Sequence, residues 1–326
     1  MAIEESPAEL AAKPIERPLA LIAGPTASGK SAVAVKLAQA IEHAGTKAVI
    51  INADSAQVYA DLAILSARPD ETEMGGIEHR LFGAWDGSQA CSAARWAEIA
   101  RDEIAGCHEQ GAVPICVGGT GMYMKVLLDG IAPIPEIDPE IRAVVRALPV
   151  EVAYDALMIE DPERATQLEP GDSQRIARAL EVKRSTGVTL GDWQLAKTGG
   201  IGEEITLFPL ILLPERDWLY ERCDARFAAM LEAGAIAEVE ALIARNLDPD
   251  LPVMRAIGVP EIAAFLRDEA TRDEVIAAGA QATRNYAKRQ YTWFRRQMDP
   301  DWPRVSGKTI PENIDLAAHF DGLLPD

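Results

Sequence analysis

The stretch that most constrains this chain is GPTASGKS at residues 24–31. It lies between an almost wholly apolar run, Leu19 to Ala23, and a segment whose apolar residues recur at helical spacing from Ala32 onward. Strand, loop and helix are implied in that order. Gly24 and Gly29 bracket Pro25, Thr26, Ala27 and Ser28 and precede Lys30 and Ser31. This is the spacing G-x-x-x-x-G-K-[ST], in which backbone N–H groups wrap phosphate oxygens. Glycine allows the bends and the close approach. Lys30 supplies a point charge, Ser31 a hydroxyl that can reach Mg²⁺, and the start of the helix its dipole. Residues 24–31 are thus expected to bind a ligand carrying at least a diphosphate; the alternative is a glycine turn that binds nothing.

Apolar runs at 19–24, 47–54 and 113–119 alternate with helical segments, and each ends in small or polar residues. A fourth, EITLFPLILLP at 204–214, reads as a strand returning to the same sheet. The pattern predicts an α/β fold, a P-loop NTPase-like parallel sheet covered by helices, with ligands at the C-terminal edge of the strands. Residues 19–130 and 201–305 make this core. Between them, from the proline-broken IAPIPEIDP at 131–139 to KTGGIGEE at 197–204, short amphipathic helices predict a helical insertion domain at 131–200. Residues 1–18 and 306–326 read as tails. No apolar run approaches the ~20 residues of a membrane span, and the expected location is the cytoplasm.

The net charge of −19 offers nucleic acid no overall attraction, so any polyanion must meet a local basic patch. One candidate is TRNYAKRQYTWFRRQ at 283–297, with Arg284, Lys288, Arg289, Arg295 and Arg296, four interleaved aromatic rings and no acid. It reads either as a solvated charged face over a packed aromatic stripe or as a contact for nucleic-acid backbone or diphosphate. Cys91, Cys107, Cys116 and Cys223 have neither metal-ligand nor C-x-x-C spacing and read as buried small hydrophobes.

Asp54 closes the second strand run and can act as a base toward a substrate proton, or coordinate Mg²⁺ through water, or merely cap a helix. The third run ends VGGTGMYM, where Gly118 and Gly119 let backbone approach a ligand and Thr120 offers a hydroxyl. No acid follows that strand, which weakens a reading as an ATP hydrolase.

GPTASGKS at 24–31, DSAQVY at 54–59, ARP at 67–69, HRLF at 79–82, GGTGMYMKVLLDG at 118–130, SQRIARALEV at 173–182, ERCDARF at 221–227, MRAIG at 254–258 and TRNYAKRQYTWFRRQ at 283–297 together resemble the tRNA dimethylallyltransferases, bacterial type. The resemblance implies transfer of a dimethylallyl group from dimethylallyl pyrophosphate to the exocyclic amine of the adenosine 3′ of the anticodon, with Mg²⁺ held near Ser31. It implies that the phosphate loop holds the allylic pyrophosphate and that Asp54, Thr120 and Arg226 are catalytic, Asp54 as base. Arg226 could otherwise be a surface ion-pair partner. The matching tRNA contacts are Asp54, Ser55, Ala56, Gln57, Thr120, Arg142, Gln174, Arg175, Ile176, Ala177, Arg178 and Arg255, and a monomer acting on the anticodon stem-loop is expected; Arg175 and Arg178 could instead face solvent. The chain departs from the family at Val259-Pro260, where Tyr-Arg or Tyr-Lys is usual, and at Ile64-Leu65-Ser66-Ala67-Arg68-Pro69, which lacks a glycine. Two other functions are open to the residues: the same chemistry on free AMP, which the insertion and the basic helix disfavour, and an NTP-dependent kinase or switch.

Overall fold

A computed structural model describes residues 16–308 and 313–324. Six strands form one sheet: β1 Pro18–Ala23, β2 Ala48–Asn52, β3 Glu78–Arg80, β4 Val113–Gly118, β5 Thr206–Pro214 and β6 Arg304–Gly307. Their order is β3-β2-β4-β1-β5-β6 and every neighbouring pair is parallel. A central strand of such a sheet is covered on both faces, which is why β1 is a continuous apolar run without alternation. Leu19 to Ala23 are indeed fully buried. The helix Lys30–His43 packs Val33, Ala34, Leu37, Ala38 and Ile41 against Ala20, Ile22 and Ile50.

The chain divides into two compact units, Leu128–Ile201 and the remainder. The first is helical, with a small core of its own from Val145, Ala153, Leu157, Ala165, Ile176, Ala179 and Leu180. Polar N-caps start its helices: the carboxylates of Asp138, Asp161 and Asp172 accept from backbone N–H groups two or three residues on.

Two expectations about the chain ends need correction. Residues 1–15 of the expected N-terminal tail lie outside the described residues, but Pro18 already opens β1. The segment read as a tail from 306 instead completes β6, which pairs with β5 from Ile211 with Arg304 to Pro214 with Gly307. Beyond it, Ile314, Leu316 and Phe320 are buried in the sheet's core. An unpaired strand edge and unburied apolar surface both favour this docking. Among the described residues no helix is long and apolar enough to cross a membrane.

Candidate functional site

The phosphate loop leaves β1 at Gly24, whose N–H donates to Gly118 O at 3.3 Å. A Cβ on Gly24 would lie 2.8 Å from Leu212 O, so only glycine lets the chain pass beside β5 here. Ala27 holds a left-handed φ of 62°, which costs a non-glycine residue about 1–3 kcal/mol unless its surroundings impose it. Arg222 imposes part of it, donating from Nε to Ala27 O at 2.9 Å. Gly29, also left-handed, precedes the helix Lys30–His43 without a side-chain cap, so no side chain competes for the first-turn N–H groups that an anion would use.

Lys30 is buried, its Nζ 3.4 Å from Pro25 O and 3.9 Å from Asp54 Oδ2. Burial lowers its pKa, and the nearby Asp54 carboxylate works in the other direction. Asp54 is also buried and no helix begins at it. Asn52 fixes the turn instead, accepting from Asp54 N at 2.9 Å and donating to Asp54 O and Leu81 O at 3.1 Å. Asp54 Oδ1 accepts from Ala56 N at 3.1 Å, while Oδ2 is the oxygen nearest Lys30.

The loop after β4 closes the other side. A Cβ on Gly118 would overlap the Ala53 backbone, and Thr120 N donates to Ala53 O at 3.1 Å, so the ends of β2 and β4 lie against each other. Thr120 Oγ1 accepts from Ser55 N at 2.9 Å and donates to Ser55 Oγ at 3.1 Å. Tyr286 bonds to both hydroxyls, and burial, followed by the negative Asp54, raises its pKa.

Asp54, Ser55 and Tyr286 face a cavity of about 310 Å³. Thr26, Asp54, Ser55, Arg226, Arg255 and Arg289 give its polar lining; Leu62, Leu65, Phe227, Met230 and Ile257 give the apolar one. Arg226 is half-buried, with Nη1 3.3 Å from Thr26 Oγ1, so it is not a surface ion-pair partner. Burial lowers its pKa and Asp54 opposes this. Arg289 lies over the Tyr286 ring, 5.6 Å from its centroid. The segment bearing Leu62, Leu65 and Ser66 is held by the Glu238 carboxylate, which accepts from the N–H groups of Ala63, Ile64 and Leu65 at 2.6–2.9 Å. Leu65 occupies the position of the absent glycine and lines the cavity. Val259 and Pro260 open the helix Val259–Leu266, where proline's missing N–H costs nothing.

Thr26, Lys30, Asp54, Ser55, Ala56, Thr120, Arg226 and Arg255 therefore come together. Arg142 and the Gln174–Arg178 run lie in the helical unit. Within that run Arg175 pairs with Asp172 at 2.9 Å and Arg178 approaches Glu181 at 3.8 Å, while Ile176 points into the helical core. The Ile176 side chain thus packs the helical core, one turn from Ala179 and Leu180 on the buried face. Gln57 is buried too, its amide donating to Ser66 O and Ala67 O.

Two residues at the site were missed as individuals in the sequence: Tyr286 and Gln290. With Trp293 they recur at i, i+4 and i+7 on the helix Arg272–Arg296, the spacing of one helix face. Among the charges, Arg284 pairs with Asp224, and Arg289 lines the cavity.

A model described as "IPP transferase" matches residues 57–297, and one described as "Isopentenyl transferase" matches residues 17–84. A tRNA dimethylallyltransferase from Erythrobacter litoralis is 61% identical over 98% of both chains, and one from Zymomonas mobilis 52% identical over 94% of both. Among solved structures, a tRNA isopentenylpyrophosphate transferase from Bacillus halodurans superposes with a TM-score of 0.64 at 31% identity, covering 93% of each chain. A eukaryotic dimethylallyltransferase acting on tRNA gives 0.76 at 26% identity, over 93% of this chain and 76% of the other.

Proposed function

The chain belongs to the IPP transferase family, and from that premise we propose the course of its reaction. It is a transferase that places a dimethylallyl group on tRNA. The donor is dimethylallyl pyrophosphate and the acceptor is the exocyclic amine of the adenosine 3′ of the anticodon. The observation that carries this reading is Asp54 and the half-buried Arg226 on the wall of a largely apolar cavity, with the buried Lys30 3.9 Å from Asp54.

The diphosphate lies on the loop at 24–31 and the isoprenoid against Leu62, Leu65, Phe227 and Met230. As the allylic C–O bond breaks, negative charge grows on the leaving pyrophosphate, where Lys30, Arg226 and the backbone N–H groups stabilise it. The amine nitrogen forms the new N–C bond, and its proton passes to the Asp54 carboxylate. Thr120 fixes Ser55 beside that base. Mg²⁺ suits the donors present, the Ser31 hydroxyl and the Asp54 carboxylate, because it prefers oxygen and keeps ligand places for waters and substrate phosphate. When bound, it would neutralise charge on the pyrophosphate. The tRNA is held through Ser55, Ala56 and Arg255 in the α/β unit and through Arg142, Gln174, Arg175, Ala177 and Arg178 in the helical unit. The enzyme acts in the cytoplasm as a monomer.

The test is incubation with labelled dimethylallyl pyrophosphate and either total tRNA or AMP. Label is expected in tRNA alone. Label in AMP, or ATP turnover with label in neither, overturns the proposal. The tRNA affinity should also fall steeply with salt, since phosphate contacts release counterions.

A further inference from the structure

Gln290 is buried on the helix Arg272–Arg296, amid a sequence that otherwise reads as charged surface. Its Oε1 accepts from Thr26 N at 2.8 Å, across 264 residues of sequence, and its Nε2 donates to Gly119 O at 2.7 Å. One amide therefore spans from the phosphate loop to the loop after β4. Both halves are satisfied by backbone, and both bonds are short and shielded from water.

The two backbone groups it grips are those that fix the reacting groups. Thr26, held at N by Gln290, accepts Arg226 at its Oγ1, so the position of that guanidinium depends on where Thr26 sits. Gly119 precedes Thr120, whose N–H holds Ala53 O and whose hydroxyl holds Ser55, the residues on either side of Asp54. Glycine is needed at 119 for this: a Cβ there would overlap the Gln290 amide and lie 3.0 Å from Asp54 Oδ2.

We infer that Gln290 is a positioning residue, a single amide clamp that keeps the diphosphate cradle and the Asp54 base in register during transfer. The inference rests on the proposed function. It predicts that loss of the clamp slows the chemical step far more than it weakens the grip on tRNA, because of the residues that hold tRNA in the α/β unit the clamp reaches only Ser55, through Thr120.

The variants are Gln290→Met, which keeps the length and loses both bonds, and Gly119→Ala, which leaves Gln290 in place and pushes its amide aside. Each full-length protein is measured for single-turnover transfer at saturating substrates, for tRNA affinity, for binding of inorganic pyrophosphate with Mg²⁺, and for melting temperature. Transfer should fall roughly 10²-fold, the scale of a small misplacement of reacting groups. Pyrophosphate affinity should weaken about tenfold, and tRNA affinity should stay within about twofold. Transfer within about threefold of wild type in either variant overturns the clamp, as does a tRNA affinity that falls in step with transfer. If Gln290→Met fails to fold, Gln290→Glu, which keeps the acceptor for Thr26 N and loses the donor to Gly119 O, decides. If the wild-type chain itself fails to prenylate tRNA, the functional reading fails, and the pyrophosphate affinities of the variants still decide the clamp.

Discussion

In the helical unit the buried Glu181 carboxylate has Arg146 Nε at 2.8 Å and Arg178 Nη1 at 3.8 Å, two guanidinium groups for one acid. In the α/β unit the ratio is the same, Lys30 and Arg226 around Asp54, but Lys30 Nζ comes no nearer than 3.9 Å to Asp54 Oδ2. The difference lies in what the cations touch. Arg146 and Arg178 keep much of their surface in water and lend charge to a buried acid, which makes a structural ion pair. Lys30 is buried and Arg226 half-buried, and desolvation pushes both pKa values down. Keeping these two cations largely out of water with one loosely placed acid is unfavourable, and a bound polyanion relieves it. Buried charge thus marks packing in one unit and a ligand site in the other.

The strongest way to break this contrast is Asp54→Ala. If Asp54 is the base, turnover should fall about 10²–10⁴-fold while inorganic pyrophosphate still binds. Unchanged turnover would make Asp54 only a counter-ion for Lys30. Next is Arg226→Met, expected to cost about 10²–10³-fold in turnover, the scale of one lost donor to a developing anion. Steady-state kinetics with tRNA in excess checks it, and a change confined to tRNA affinity would move Arg226 out of the cradle.

The contrast was only half legible in the sequence. The loop at 24–31 could be read because glycine spacing, an apolar strand and a helical period agree over a short window, and Asp54 followed from its place at the end of a β-branched run. The strands β3 and β6 could not, since Glu78–Arg80 and Arg304–Gly307 carry no apolar alternation and are placed by pairing with a neighbour. The C-terminal segment misled for a related reason: Ile314, Leu316 and Phe320 are too few to give a period, yet all three are buried. In the helical unit the Gln174–Arg178 run reads as one polar block, although helical spacing sends Ile176 inward. Gln290 escaped because a glutamine among arginines reads as surface, and only its shared face with Tyr286 and Trp293 hints otherwise.

In the helical unit the expected effects are smaller and fall on stability. Arg146→Ala leaves Glu181 buried beside Arg178 alone, which should destabilise this unit by about 1–3 kcal/mol, the cost of an under-satisfied buried group. Urea unfolding would read that loss, with the transfer rate at saturating tRNA unchanged. A variant as stable as wild type would show that Arg178 and water suffice for Glu181, and the unit's ion pair would then carry no packing role.

The smallest effect follows from where the thiols lie. All four cysteines belong to the α/β unit and none to Leu128–Ile201. Burial pushes Cys116 up to about 12 and Cys223 up to about 11. A pKa raised by folding means that the native state keeps a proton which the unfolded chain gives up near its ordinary value of about 8.5. Below that pH the stabilisation is fully present, and it is lost as pH rises toward 11 and 12. Lys30 acts in the opposite sense, since its lowered pKa lets the native state release a proton before the unfolded chain does, and it offsets part of this loss. Each of the two thiols costs the α/β unit about 1.4 kcal/mol per pH unit between its unfolded and folded pKa. Hydrogen exchange corrected for intrinsic rates, compared at pH 8 and pH 10, should show protection falling in the α/β unit and holding in the helical one. Cys116→Ala should flatten the fall. An equal loss in both units would place the alkaline sensitivity in general charge repulsion and remove the thiols from the account.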